Sequence, residues 1–325
     1  MARFIAPWTL WRYGILGINR RNSRYIATYN PRSLFPLVDN KLKTKQTVRP
    51  AEIPTPAPIG VIEEQSQVGQ LAGLLEGHAG FAIKPAKGSG GKGIIVITGR
   101  DGDNYVKASG AVLTIDDLKR DVSNILAGLY SLGGKPDVAL IEELIHGDPR
   151  FDRFTFEGVP DIRVIVCRGY PVMAMMRLAT QASDGKANLH QGAVGVGLDM
   201  ATGRALNAVQ FGLTVTHHPD TGQDLSELQV PDWDQLLVMA SRCYDATGLG
   251  YLGTDIVMDR DKGPQLLELN ARPGLAIQVA NGAGLLPRLR RIDGLSDAEV
   301  RYSPERRAKL SQKWFAGSVE QAIQS

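Results

Sequence analysis

Cysteine is nearly absent from this sequence: 325 residues contain two, Cys167 and Cys243, each inside an apolar-periodic segment. That excludes a disulfide framework and a cysteine-based metal site, and makes a reducing, cytoplasmic location the expectation. Cys167 falls within a strand pattern and reads as a small core residue rather than a nucleophile. Long apolar runs are missing too. No window reaches the roughly 18 continuous apolar residues needed to cross a bilayer, so no membrane span is expected. The opening stretch MARFIAPWTLWRYGILGINRR is rich in aromatic residues, but Arg3, Pro7 and Arg12 interrupt any secretory-signal core.

Acidic residues are scarce at one end. Residues 1–49 hold ten Arg or Lys and a single acid, Asp39, which leaves 27 basic and 33 acidic residues of the totals of 37 and 34 for the remainder. Such a basic segment either attracts an anionic partner (nucleic acid, a membrane surface or phosphate) or lies as a solvated arm on an acidic body. No nucleic-acid recognition motif accompanies the charges.

With 43% hydrophobic and 22% charged residues, the chain is composed as an ordinary globular protein of one large domain or two to three lobes. PAEIPTPAPIG at 50–60 places four prolines in nine positions and reads as a stiff connector. β-Branched runs at 81–85 and 94–98 enclose a glycine loop. From Thr114, TIDDLKRDVSNILAGLYSLGG carries Ile115, Leu118, Val122, Ile125, Leu126 and Leu129 at helical spacing, with Thr114 and Asp117 as a capping box and Gly133–Gly134 as the stop. VALIEELI at 138–145 reads as a buried strand. DIRVIV (161–166) and PVMAMMRLAT (171–180) flank a CRGY turn, TDIVMD (254–259) and QLLELN (265–270) flank RDKGP, and a helix is expected over about 232–247. The last 30 residues read as helical and solvated. Hairpins in place of alternating βαβ units predict an α+β fold.

The glycine loop, GSGGKG at 88–93, suits close backbone approach to an anion. It matches the dinucleotide spacing, yet that fingerprint must open a helix and IIVIT is a strand. Lys92 is followed by Gly93 rather than Ser or Thr, which removes the Walker pattern. A protein-kinase loop has its lysine afterwards and needs HRD and DFG, neither of which occurs. A plain glycine-rich turn remains open on the loop alone.

The stronger signal lies downstream. If the 254–270 hairpin turns around Asp261–Lys262, Asp255 faces Glu268 across the ladder, and Asn270 lies on the same sheet face. Three hard oxygen donors suit magnesium. Like charges directly opposite one another destabilise a sheet unless a cation intervenes, which disfavours reading the trio as a plain polar face.

Taken in order, five blocks resemble the ATP-grasp superfamily, and more narrowly its glutamate-ligase branch: NKLKT (40–44), IKPAKGSGGKGI (83–94), IEELI (141–145) with DIRV (161–164), MMRLA with NLHQGA (175–193), and TDIV with LLELNARPG (254–274). The resemblance implies two α+β lobes gripping ATP between them: a reduced basic region at 1–49, a small lobe with a glycine-rich flap at 50–145, a large lobe with the magnesium site at 146–290, and a helical tail at 291–325. It further implies that Lys41 and Lys84 contact ATP phosphates, that Ser89, Gly90 and Gly91 close over them, that Glu142, Glu143, Leu144 and Ile145 form the adenine hinge, and that Asp161 faces the ribose. Asp255, Glu268 and Asn270 match the magnesium (or manganese) ligands, and Asn188 the block that approaches phosphate. Arg163 and Arg177 share a face if the CRGY loop has three residues, and arginine suits a bidentate oxyanion; taken singly, each is read equally well as a surface salt bridge. His190 serves equally as an orienting group or a structural histidine.

The chain departs from the family pattern at Asn40, where Asp is usual, at Lys186-Ala187-Asn188, where the branch has Arg-Ser-Asn, and in the inserted HGDPRFDRFTFEGVP, which is a candidate for part of an acceptor site. The chemistry implied is a carboxylate–amine ligation through an acyl phosphate, adding a glutamate-like amino acid to a peptide or protein. A phosphotransferase on the same lobes, and a nucleotide-binding scaffold with a basic docking segment, are the alternatives. A basic pocket near Arg163, Arg177 and Lys186 would suit an acidic substrate.

Overall fold

A computed structural model describes residues 7–88, 90–131 and 133–317. The chain divides into two compact units: a smaller one of Asp39–Lys45 and Thr55–His146, and a larger one of Met1–Val38, Gln46–Pro54 and Gly147–Ser325. The passage from the larger to the smaller and back includes helix α1 (Lys41–Val48).

In the smaller unit six strands form one antiparallel sheet: β1 (Pro58–Ile62), β2 (Phe81–Pro85), β3 (Ile95–Asp101), β4 (Asn104–Lys107), β5 (Val112–Leu113) and β6 (Ala139–Glu143), in the order β1-β6-β2-β3-β4-β5. The proline-rich connector therefore ends inside the sheet. Pro58 opens an edge strand, where a missing N–H costs least. Helix α2 (Ile115–Leu126) starts on the expected Thr114–Asp117 capping box and buries Leu118, Val122, Ile125 and Leu126 against Phe81, Ile83 and Ile97. It ends earlier than the periodicity predicts. Gly128, at φ +82°, turns the chain where an added Cβ would meet the Lys135 carbonyl oxygen at 2.3 Å, so Leu129 lies beyond the helix and is exposed. The stop is Gly128, not Gly133–Gly134.

The larger unit holds a seven-stranded antiparallel sheet: β7 (Asp161–Cys167), β8 (Tyr170–Leu178), β9 (Val194–Leu198), β10 (Ala205–Gln210), β11 (Leu213–Thr214), β12 (Tyr251–Asp259) and β13 (Gly263–Asn270), in the order β11-β10-β9-β8-β7-β12-β13. Strands β9 and β12 are buried at every position, and in β12 this includes the polar Thr254, Asp255 and Asp259. The unit also holds helices α3 (Trp233–Thr247), α4 (Ile277–Ala280), α5 (Leu286–Asp293) and α6 (Pro304–Trp314), among others.

Three expectations change here. The β7–β8 turn has two residues, with Cys167 opposite Tyr170, rather than three. A bulge between Ile165 and Val166 supplies the parity that the longer loop was expected to give: Arg163 faces Met175, Asp161 faces Arg177, and both arginines stay on one face. The C-terminal helix is not solvated all round. Arg307 on α6 is 1% exposed and is ion-paired with Asp245 of α3, while Ala308, Ser311 and Phe315 are buried. Nor are residues 14–38 a loose arm, since Leu16, Tyr25, Ile26 and Val38 join the core. The Asn30 amide donates to the carbonyls of Tyr251 (2.6 Å) and Ala271 (3.0 Å) and accepts from the Tyr251 N–H (2.8 Å). The 146–160 insertion likewise contributes to the core, through Phe151 and Phe154.

Gly197 on β9 shows how tightly α4 meets the sheet. A Cβ there would fall 2.5 Å from the Ala280 carbonyl oxygen and 2.7 Å from the Asn281 Cα. Gly197→Ala should therefore destabilise by about 1–3 kcal/mol, as other overpacked cores do, and lower the urea midpoint. An unchanged midpoint would mean that α4 yields.

Candidate functional site

Each unit carries its own cluster of predicted residues. In the smaller unit the register sets Lys84 of β2 opposite Leu140 of β6 and Ala82 opposite Glu142. Lys84 and Glu142 meet side by side at 2.8 Å, and Lys45 of α1 reaches the other Glu142 oxygen, also at 2.8 Å. Burial alone would raise the Glu142 carboxyl, but the two lysines outweigh it and hold it below the usual range. Burial pushes Lys45 down in spite of its carboxylate partner. Lys41 donates to the Gly88 carbonyl at 2.6 Å, which ties the first predicted phosphate contact to the start of the glycine loop. Within that loop Gly90 and Gly91 have φ of +66° and +75°. Gly93, at φ +73°, leaves no room for a Cβ, which would sit 2.4 Å from the Tyr130 ring. Ser89 lies outside the described residues.

Glu142 and Glu143 belong to β6, and the Glu143 N–H is committed to the Ala57 carbonyl at 2.9 Å. Leu144 and Ile145 follow the strand. The Glu142 side chain, neutralising two lysines, was not foreseen. Its i,i+1 acidic pair in a buried strand was the available signal, because a buried carboxylate requires partners. Lys45 was missed because it is one of several lysines in an exposed-looking run.

In the larger unit, Asp255 stands between Arg163 of β7 and Glu268 of β13, directly paired with both. The Arg163 Nε and Nη2 donate to the two Asp255 oxygens at 2.7 and 2.5 Å. Arg177 on β8 forks onto Asp161 and also reaches Asp255 Oδ2 at 3.0 Å. The Asn270 amide nitrogen donates to the same oxygen at 3.3 Å. Four neighbouring strands thus present two arginines, three acids and an amide on one sheet face. Burial would raise the Asp255 carboxyl, but Arg163 and Arg177 outweigh it and bring it down to about 2. Asp161 goes the other way, up to about 6, because burial and the Asp255 charge outweigh its own arginine. Arg177 is held further above its usual value by the two acids, which overcome its burial.

The arginines are part-buried ion-pair partners rather than exposed surface salt bridges, with side chains 15% and 12% exposed. They also revise the argument for a metal: guanidinium groups already neutralise Asp255, so its pairing with Glu268 does not by itself call for an ion. Among the described residues no group of three His, Cys, Asp or Glu side chains could hold one. What fits magnesium is the donor chemistry, two carboxylates and an amide oxygen on adjacent strands.

Asn188 and His190 stand apart from this network. Asn188 caps the turn Leu189–Gln191, its Oδ1 accepting from the His190 N–H at 3.0 Å, and His190 is exposed. Lys186 is paired with Asp184 at 2.9 Å. His218 is a structural histidine, buried with its Nε2 at 3.0 Å from the Ala179 carbonyl. A separate cavity of about 390 Å³, lined by Val238, Met239, Arg242 and Glu305 among others, contains none of the predicted site residues.

The model of a family described as sugar-transfer associated ATP-grasp matches residues 20–294 of the 325. The chain belongs to that family. Its ATP-grasp character agrees with the five ordered blocks; the narrower glutamate-ligase likeness stays a likeness of motifs. No curated protein sequence matches the chain. Solved structures do. The ATP-grasp ligase PsnB with a minimal precursor shares 16% identity over 80% of this chain and 60% of its own, at TM-score 0.46. D-alanyl-alanine synthetase A from Vibrio cholerae shares 11% over 86% and 66%, at 0.47. L-amino acid ligase from Bacillus licheniformis shares 13% over 83% and 51%, at 0.46. The chain thus spans about 60% of the PsnB chain's length. No helix among the described residues is long and apolar enough to cross a membrane.

Proposed function

We propose that this protein is an ATP-dependent, ADP-forming carboxylate–amine ligase that joins a glutamate-like amino acid to a peptide or protein through an acyl phosphate. The observation that carries the reading is the four-strand face on which Asp255, Glu268 and Asn270 accompany Arg163 and Arg177. It puts hard-oxygen donors and oxyanion-binding guanidiniums together in an ATP-grasp chain. Asp255, Glu268 and Asn270 would hold magnesium, which neutralises phosphate charge when bound.

Lys84 and Lys41 bind the phosphates, the glycine loop covers them, and residues 142–145 border the adenine. Glu142 holds Lys84 in place. A substrate carboxylate attacks the γ-phosphorus, ADP leaves, and an acyl phosphate remains. The amine then attacks the acyl carbon, one or both arginines stabilise the oxyanion, phosphate departs and the amine loses its proton. No protein nucleophile is needed, in keeping with two cysteines that are both fully buried and pushed far up by that burial. Asp161 faces the ribose and holds Arg177 in place. Asn188 and His190 position phosphate or amine.

The test is ADP release from ATP with candidate substrates, which should require both a carboxylate and an amine. AMP as product, or phosphate transferred to an alcohol, would refute the ligase. Glu268→Gln should lower kcat at least about 100-fold, since it removes a charge that acts on the transferring phosphate, while the thermal midpoint stays near wild type. Full activity in that variant would remove the metal assignment.

A further inference from the structure

The basic segment is not used by the proposed chemistry. Residues 3–24 contain Arg3, Arg12, Arg20, Arg21 and Arg24 and no acid, interleaved with Phe4, Ile5, Trp8, Leu10, Trp11, Tyr13, Ile15 and Ile18. The chain is anchored at Gly14 and Leu16: Gln278 clamps Leu16 through the Leu16 N–H (2.8 Å) and carbonyl (3.1 Å), and the Leu286 N–H donates to the Gly14 carbonyl at 3.0 Å. The anchored chain nonetheless leaves large apolar groups in water, with Tyr13 and Ile18 each 62% exposed and Leu10 39%. Arg12 and Arg20 are exposed and pair with no carboxylate among the described residues, while Arg24 has only Asp293, at 3.5 Å. Arg291 is exposed on α5, the helix that packs against residues 13–29.

Exposed apolar residues scattered singly need no explanation. Three within nine residues, on a fixed backbone and among uncompensated arginines, do. We infer that residues 10–24 form a peripheral docking surface for an anionic phospholipid bilayer, with Leu10, Tyr13 and Ile18 entering the headgroup region and the arginines meeting lipid phosphates. Aromatic and aliphatic side chains mixed with cations are the composition of interfacial segments. Nucleic acid would use the arginines and could stack on Tyr13, but it offers nothing to the aliphatic Leu10 and Ile18. Such a surface by itself binds weakly and reversibly.

The test is flotation of the full chain with vesicles of phosphatidylcholine alone and of phosphatidylcholine mixed with phosphatidylglycerol. We expect binding to the anionic vesicles only, lost at high salt because screening shortens the reach of the arginines. Arg12→Gln with Arg20→Gln should lower the partition coefficient about 25-fold, at roughly fivefold per basic residue. Tyr13→Ser with Ile18→Ser should lower it about tenfold or more through lost apolar burial. Both variants should keep the wild-type thermal midpoint, since the replaced side chains are exposed. Equal binding to neutral vesicles, or variants that float like wild type, would overturn the inference. Capture of single-stranded RNA by the same arginines, without vesicle binding, would overturn it in favour of nucleic acid. None of these readouts uses the nucleotide site, so the ligase reading can fail without affecting this result, and the reverse.

Discussion

Asp255→Asn is expected to destabilise the protein by about 3–5 kcal/mol and to abolish turnover. Asp255 is 5% exposed and receives two hydrogen bonds from Arg163 and one from Asn270, with Arg177 at 3.0 Å. The amide that replaces it cannot accept on both atoms, so Arg163 is left as a part-buried cation with half a partner. Urea unfolding measures the cost, and a loss below about 1 kcal/mol would show that water or another acid takes over. The double variant Asp255→Leu with Arg163→Met separates folding from chemistry. Removing both charges together should recover most of the stability, because a buried ion pair roughly balances its own desolvation. Activity should not return, since the proposed metal ligand and oxyanion donor are both gone. Acid has the same effect as the asparagine. With its carboxyl lowered to about 2, Asp255 contributes stability that is present above about pH 4 and lost as pH falls towards 2.

The second large effect is expected for Glu142→Gln. Two ammonium groups, Lys84 and Lys45, share this one carboxylate, and their side chains are 15% and 14% exposed. Partial contact with water tempers the loss to about 2–4 kcal/mol, below that of a fully buried pair. The sign of its pH dependence distinguishes it from a packing defect. Lys45 already lies below its usual value through burial, and without the Glu142 charge it falls further. A lysine lowered in the folded state penalises folding while it is charged, and the penalty fades as pH rises through the folded value. The variant's deficit should therefore shrink between pH 7 and about pH 10, where unfolded lysine titrates. A deficit that is constant with pH would mean that Lys45 is not the strained group. ATP affinity should also fall, because Lys84 loses the partner that holds it in place.

Much of this was readable from residue order alone. The strand after GSGGKG set the loop in a β-hairpin, and Thr114 and Asp117 capped α2 as written. These are short-range consequences of a two-residue side-chain period and of capping, which act within a few residues and leave a mark on the sequence. The pairing of Asp255 with Glu268 came by another route: the RDKGP turn sets Asp259 opposite Gly263, and a bulge between Asp255 and Ile256 shifts the register to Glu268. The family blocks added the order in which such pieces occur.

What sequence could not determine depended on strands distant along the chain. Nothing near Asp255 announces that Arg163, 92 residues away, will meet it. That contact follows from β7 lying beside β12, and from a bulge at Ile165–Val166 that keeps Arg177 on the same face. The Glu142 side chain had no visible partner until the sheet order β1-β6-β2 set it beside Lys84 and α1 brought Lys45 to it. Burial decided the rest. The C-terminal helix is polar enough to read as solvated, yet Arg307 is buried because Asp245 and Ser241 on α3 accept its hydrogen bonds. Local sequence determined which residues could do chemistry, and the pairing of remote strands decided which of them neutralise one another, because charge balance in a buried site is a property of neighbours in space.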